Sequence, residues 1–318
     1  MARSKRIAVA GGTGGIGSHI IEGLLEIKER DSLHIIILSR SSKPDVQFAG
    51  ASAPVIGVDY TDVDAVAAIL REHQIDTIIS TVSGFEFIDI FEVAQQRLLD
   101  AALRVPSVHR FAPSEFAVSS EKLASVSFYH HKLPILRSLR KVKETRSDFE
   151  FTVFVCGGLT NYLGYGNAKP DGKKAHGHLR EHPFILDLSK ATVEVPGDGN
   201  ATYAWTTAED VGRFTAAATQ LEAWPEELSM AGDLISTNKL IEIAESITGK
   251  EFVVKYLTEE DILARIDPNA TSLMANFYHE VSLGMVRGEC DPGTVNLNGL
   301  VSVEPMSVKG YLQKWWGN

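Results

Sequence analysis

Ile7-Ala8-Val9-Ala10-Gly11-Gly12-Thr13-Gly14-Gly15-Ile16-Gly17 is the stretch whose reading decides the fold. The apolar run from Ile7 to Ala10 reads as a buried strand, and residues 16–28 read as a helix. Between them Gly11, Gly14 and Gly17 recur at three-residue spacing. Strand, glycine turn and helix together form the opening of a dinucleotide-binding βαβ unit. Gly11 permits the tight turn. Gly14 lets a pyrophosphate approach the backbone, and Gly17 lets the helix pack close to the strand. The helix N-terminus offers free N–H groups and a partial positive charge to the phosphates. The cofactor-binding residues read from this stretch are Gly11, Thr13, Gly14, Gly15, Ile16 and Gly17.

Further strands follow at 33–38, 54–58, 77–80, 109–112 and 151–155, separated by helical patterns such as 63–71 and 91–103. Strands alternating with helices predict an α/β fold, a Rossmann-type doubly wound parallel sheet. An NAD-preferring site places Asp or Glu near the end of the second strand to bind the ribose hydroxyls. This chain has Ser39-Arg40-Ser41-Ser42-Lys43 there. Arg40 can pair with a 2′-phosphate and Lys43 can add a donor, which points to NADP(H) as cofactor. Thr81-Val82-Ser83-Gly84 is a small-residue turn at the C-terminal end of the fourth strand. Ligands of open α/β sheets bind at such ends. Thr81, Val82 and Ser83 are therefore assigned to the cofactor, with Phe85 or Phe87 placed to cover it and Phe85 taken as a substrate contact.

The chain has 318 residues and a net charge of −10, which argues against a nucleic-acid partner. Its two cysteines, Cys156 and Cys290, give neither a disulfide framework nor zinc spacing. A reducing, cytoplasmic setting is expected. Arg3, Lys5 and Arg6 precede an apolar run too short for a signal peptide, and no stretch is long enough for a membrane partner. The expected partner is a small-molecule substrate, with the protein a monomer or homodimer.

Arg110-Phe111-Ala112-Pro113-Ser114-Glu115-Phe116 resembles the Arg-Phe-x-Pro-Ser-Glu-Phe signature of the isoflavone reductase-like, or NmrA-like, family of atypical short-chain dehydrogenases/reductases. The glycine turn, Gln96-Arg97-Leu98-Leu99-Asp100-Ala101-Ala102, Gly197-Asp198-Gly199-Asn200 and Glu209-Asp210-Val211-Gly212 resemble further family segments in the same order. The resemblance implies a lysine beside the nicotinamide, in the helix after the Pro-Ser-Glu-Phe loop, and Lys132 is the match. Pro134 is tolerated only in a first helical turn, so Lys132 should sit at the helix start. Burial or a helix N-terminus there would lower its pKa toward a value useful for proton transfer. Tyr129 and Lys132 stand one residue closer than the Tyr-x-x-x-Lys of ordinary short-chain dehydrogenases. Tyr129 and His131 complete the candidate catalytic set.

The segment after Cys156-Gly157-Gly158 resembles the place where the family's chain crosses the nicotinamide, giving Asn161 and Tyr162 as substrate-binding candidates. Phe277 and Tyr278 join them from the aromatic-rich last third. Residues 164–190 read as a polar, mobile loop over the substrate. Its histidines, His176, His178 and His182, lack an accompanying metal-ligand motif, and no metal site is expected. Residues 1–157 and about 193–233 are assigned to the NADP(H)-binding domain, and about 158–192 and 234–318 to a smaller substrate lobe. The resemblance implies an NADPH-dependent reductase of a small aromatic or polyketide-like metabolite with Lys132 as general acid/base. Two alternatives are an NADP(H)-sensing regulator without turnover and a redox-neutral isomerase or cyclase. A binding titration should find NADP(H) held more tightly than NAD(H); equal affinities would contradict the role given to Arg40.

Overall fold

A computed structural model describes residues 3–82 and 88–317, apart from the side chains of residues 88–90 and 273. The first half runs β1 (Arg6–Ala10), α1 (Gly15–Glu26), β2 (His34–Ser39), β3 (Lys43–Phe48), β4 (Ala51–Gly57), α2 (Val63–Glu72), β5 (Thr77–Ser80), α3 (Ile88–Leu103), β6 (Arg110–Ala112), α4 (Ser127–His130), α5 (Leu133–Thr145) and β7 (Glu150–Phe151). These strands form one sheet in the order β3-β4-β2-β1-β5-β6-β7. Apart from the β3 edge, the pairs are parallel and the order is that of a doubly wound sheet. β1 is apolar from Ile7 to Ala10 because it is covered on both faces there. Ile7 and Val9 pack with Ile20, Ile21 and Leu24 of α1. Ala8 and Ala10 pack on the other side with Val66 of α2 and Leu98 of α3.

One strand departs from the sequence reading. Residues 43–48 form an antiparallel edge strand, joined to β4 by a two-residue turn at Ala49 and Gly50, both at positive φ. Lys43, Pro44 and Asp45 made the segment look like a loop, yet these are residue types tolerated at a sheet edge.

The second half adds β8 (Val153–Val155), β9 (Gly158–Leu159), β10 (Leu186–Asp187), β11 (Thr192–Pro196), β12 (Thr202–Thr206), α6 (Ala208–Ala218), β13 (Glu227–Ser229), β14 (Asp233–Ser236), α7 (Thr237–Thr248), β15 (Val253–Leu257), α8 (Glu259–Leu263), α9 (Leu273–Val286), α10 (Leu297–Leu300) and α11 (Val308–Trp316). The lobe boundaries differ from expectation in two places. β11 does not return to the cofactor domain: it lies between β10 and β15, and Val193 and Val195 pack with Leu240, Val308 and Leu312. Conversely, the chain near residue 297 leaves the substrate lobe. Asn296 accepts from the N–H of Ser229, Asn298 accepts from that of Ala231, and Leu297 joins the core around α1. Two asparagine side chains thus satisfy backbone groups beside β13, a role that hydrophobic patterning does not reveal. Residues 164–190 are likewise packed down, with Ala175, His176, Leu186 and Leu188 buried.

α1 and α6 touch backbone to backbone. A Cβ on Gly23 would stand 2.4 Å from the Gly212 carbonyl oxygen, and one on Gly212 would stand 2.0 Å from that of His19. Arg110 provides a second tie. It is fully buried on β6, pairs with Glu150 at 2.9 Å, and donates to the carbonyls of Thr219, Leu221 and Glu222 beyond α6. Replacing Arg110 by Ala leaves Glu150 as an unpaired buried charge. Urea unfolding should show a loss of about 3–5 kcal/mol; a loss within error would contradict this role.

Candidate active site

The glycine turn is shaped by what surrounds it. Gly11 has φ +79°, and a Cβ there would meet the Thr81 carbonyl oxygen at 2.9 Å. Thr81 in turn donates through its N–H and hydroxyl to the Ala10 carbonyl. A Cβ on Gly17 would lie 2.4 Å from the Gly11 carbonyl oxygen, so only glycine lets α1 come this close. Gly14 is different. It is the extended N-cap of α1, and a Cβ there would meet nothing within 4 Å. No side chain caps α1, and its first turn carries no acid. Backbone donors, positive helix end and open space therefore coincide at residues 14–16. That is the cradle a dinucleotide pyrophosphate requires.

Arg40 follows β2 and is exposed. Among the described residues no carboxylate pairs with it. Lys43 reaches Thr13 Oγ1 at 3.2 Å, joining the edge hairpin to the glycine turn. Thr81 and the half-buried Val82 close the other side. Ser83, Phe85 and Phe87 lie outside the described residues.

Lys132 occupies the N-cap of α5, with Pro134 in the first turn as the sequence requires. Its side chain is buried, its Nζ donates to the Glu115 carbonyl at 2.9 Å, and it stands 4.7 Å from the Tyr129 ring centre. Burial pushes the Lys132 pKa down, and the Glu115 carboxyl opposes that shift. Glu115 is itself raised by burial, with Lys132 and Ser120 pulling it back. Its carboxylate accepts from the Ser120 N–H and hydroxyl, which holds the loop carrying that carbonyl. Burial also raises Tyr129, and pushes the Cys156 thiol up to about 12. Cys156 is therefore a small buried residue rather than a nucleophile. His131 turns aside to Glu92 of α3, at 3.3 Å.

The substrate candidates divide. Phe277 packs against the Tyr129 ring at 6.2 Å and against Tyr278 at 5.2 Å. Tyr278 reaches Phe184, and Phe184 reaches Tyr162. These rings form a continuous wall leading away from Lys132. Phe184 had no sequence signal, since it lies in an irregular polar stretch. Asn161 is not part of the wall. It is fully buried, donates to the Ala175 carbonyl and Glu209, and accepts from the Ala208 N–H. Its amide groups are committed to joining 160–176 to α6.

The sequence model of the NmrA-like family matches residues 3–289. The chain belongs to the NmrA-like family. It is 31% identical over 249 residues to "Oxidoreductase BOA1" of Botryotinia fuckeliana, covering 78% of this chain and 77% of that protein. It is 25% identical over 318 residues to an isoflavone reductase of Cicer arietinum, covering 92% of each. A leucoanthocyanidin reductase–NADPH complex from Vitis vinifera shares the fold, with a TM-score of 0.71 and 22% identity over 98% of this chain and 99% of that one. In this NmrA-like chain the signature segment serves two ends: Arg110 ties the sheet to α6, and Glu115 presents a carbonyl to Lys132.

The geometry separates two glycines. Gly17→Ala forces α1 off the turn and should lower the melting temperature. Gly14→Ala should leave the melt nearly unchanged while weakening dinucleotide binding in a titration. Equal effects of the two on stability would contradict this division.

Proposed function

We propose that this protein is an NADPH-dependent reductase of a small aromatic or polyketide-like metabolite. One observation carries the reading: an uncapped, acid-free glycine turn follows β1, a buried lysine is bonded to the Glu115 carbonyl beyond β6 of the same sheet, and an aromatic wall begins at that lysine. Residues 11–17 and Thr81 would hold the pyrophosphate side of the cofactor, and Arg40 and Lys43 its 2′-phosphate. The bound cofactor supplies hydride from its reduced nicotinamide. Lys132 holds the balancing proton on Nζ, oriented by the Glu115 carbonyl and screened from water by Tyr129. Tyr162, Phe184, Phe277 and Tyr278 orient a flat, apolar substrate. The NADPH bound in the leucoanthocyanidin reductase complex and the names of the relatives support the cofactor and the reaction class. No helix of the described residues is long and apolar enough to cross a membrane, in keeping with a diffusible substrate. A buried lysine at the site favours turnover over a sensor that only binds cofactor.

NADPH consumption, followed against a panel of aromatic ketones, enones and benzylic ethers, tests the reaction. Lys132→Met should lower kcat by about 10²–10⁴. The wild-type rate should fall as pH rises through a pKa below that of an ordinary lysine, because the protonated donor is lost. Full turnover by Lys132→Met would remove Lys132 from the chemistry.

A further inference from the structure

Outside this site, one cluster joins the irregular segment 164–190 to the cofactor helix. His19 and Glu22 lie one turn apart on α1, and His178 approaches them from the segment. His178 Nε2 is 2.6 Å from Glu22 Oε1, and His19 Nδ1 is 3.5 Å from Glu22 Oε2. The two imidazoles stand 4.7 Å apart, and His19 is buried. The backbone closes in as well. Gly177 has φ +56°, and a Cβ there would meet the His19 ring at 2.6 Å and Glu209 Oε1 at 3.1 Å.

Two histidines and a glutamate invite a metal reading, but the proton positions oppose it. The His178 N–H donates to His19 Nε2 at 3.1 Å. That nitrogen's lone pair is therefore taken by the His178 backbone, and in the neutral ring Nδ1 carries the hydrogen, 3.5 Å from Glu22 without a hydrogen bond to it. The cluster is a carboxylate hydrogen-bonded to the His178 imidazole, with the buried His19 ring beside it. Burial alone would raise the Glu22 carboxyl, but the hydrogen bond from His178 and the adjoining His19 ring outweigh it and bring it to about 2. The bond to Glu22 raises His178, with Glu209 adding to the effect.

The clamp sits above the phosphate cradle. One residue beyond His178, a Leu179 methyl lies 4.0 Å from the place of a Cβ on Gly15. The preceding turn is held separately, since the Ala175 carbonyl accepts from Asn161 and from the Tyr311 hydroxyl. The groups facing His178 are Glu22 and His19 of α1 and Glu209 at the start of α6.

We propose that His178 is a positioning residue for the dinucleotide: gripped by Glu22, it holds residues 177–179 against the start of α1 so that Leu179 roofs the Gly15 end of the phosphate turn. This rests on the assignment of the glycine turn to NADPH. The clamp is strongest while His178 is protonated, and it weakens as pH rises through its elevated pKa. Binding of NADPH is measured by fluorescence from about pH 6 to about pH 9 for the wild type, His178→Ala, His178→Gln and Glu22→Gln. His178→Ala and Glu22→Gln should each weaken NADPH about fivefold at the acid end, since a charge-assisted hydrogen bond is lost at a partly exposed site. The effect should fall on KM for NADPH and not on kcat. His178→Gln, which keeps an N–H donor, should retain the wild-type affinity of the alkaline end and lose its dependence on pH. Wild-type affinity in His178→Ala, with an unchanged pH profile, overturns the clamp alone. A wild type that binds no dinucleotide overturns the clamp together with the assignment of the glycine turn.

Discussion

The glycine-turn end of the candidate site depends on how closely α1 is approached by its neighbours. Three contacts leave no room for a side chain. Gly17 of α1 meets the carbonyl of Gly11, Gly23 of α1 meets Gly212 of α6, and Gly177 of the covering segment meets His19. Backbone packing at this range fixes a helix more firmly than side-chain packing, because there is no rotamer to adjust. It also spends the conformational freedom of glycine at positions where any Cβ would collide. The result is a helix whose uncapped N-terminus is held at a set height above the sheet.

The proposed chemistry rests on a second device. Lys132 is buried at the start of α5, where both burial and the helix end disfavour a cation. The Glu115 carbonyl gives its ammonium a partner without neutralising it, and the Glu115 carboxylate is occupied with Ser120. A lysine in this balance can hold a proton and give it up. Tyr129 and Phe277 then begin an aromatic wall that keeps water from the same point.

Much of this was legible in the residues. The apolar run 7–10, the glycine spacing and Pro134 each carry their structural meaning locally, and the first strand, the glycine turn into α1 and the place of Lys132 at the start of α5 followed from them. What was not legible depends on contacts distant in sequence. The edge strand at 43–48 looks polar because edges are polar, and its turn uses Ala49 and Gly50 rather than Asn-Gly. Asn296 and Asn298 resemble loop residues until β13 is seen beside them. Asn161 was placed at the substrate by the family resemblance of its segment, and its amide is used inside the fold. His178 was read within its own loop, and its partner is 156 residues away.

We propose that the glycine turn and Lys132 serve opposite ends of one bound NADPH. A crystal structure of the NADPH complex tests it most directly. The pyrophosphate is expected on the backbone of residues 12–16, the 2′-phosphate at Arg40, and the nicotinamide in front of Lys132 and Tyr129. A nicotinamide turned away from Lys132, or a pyrophosphate bound elsewhere than at the start of α1, would contradict it.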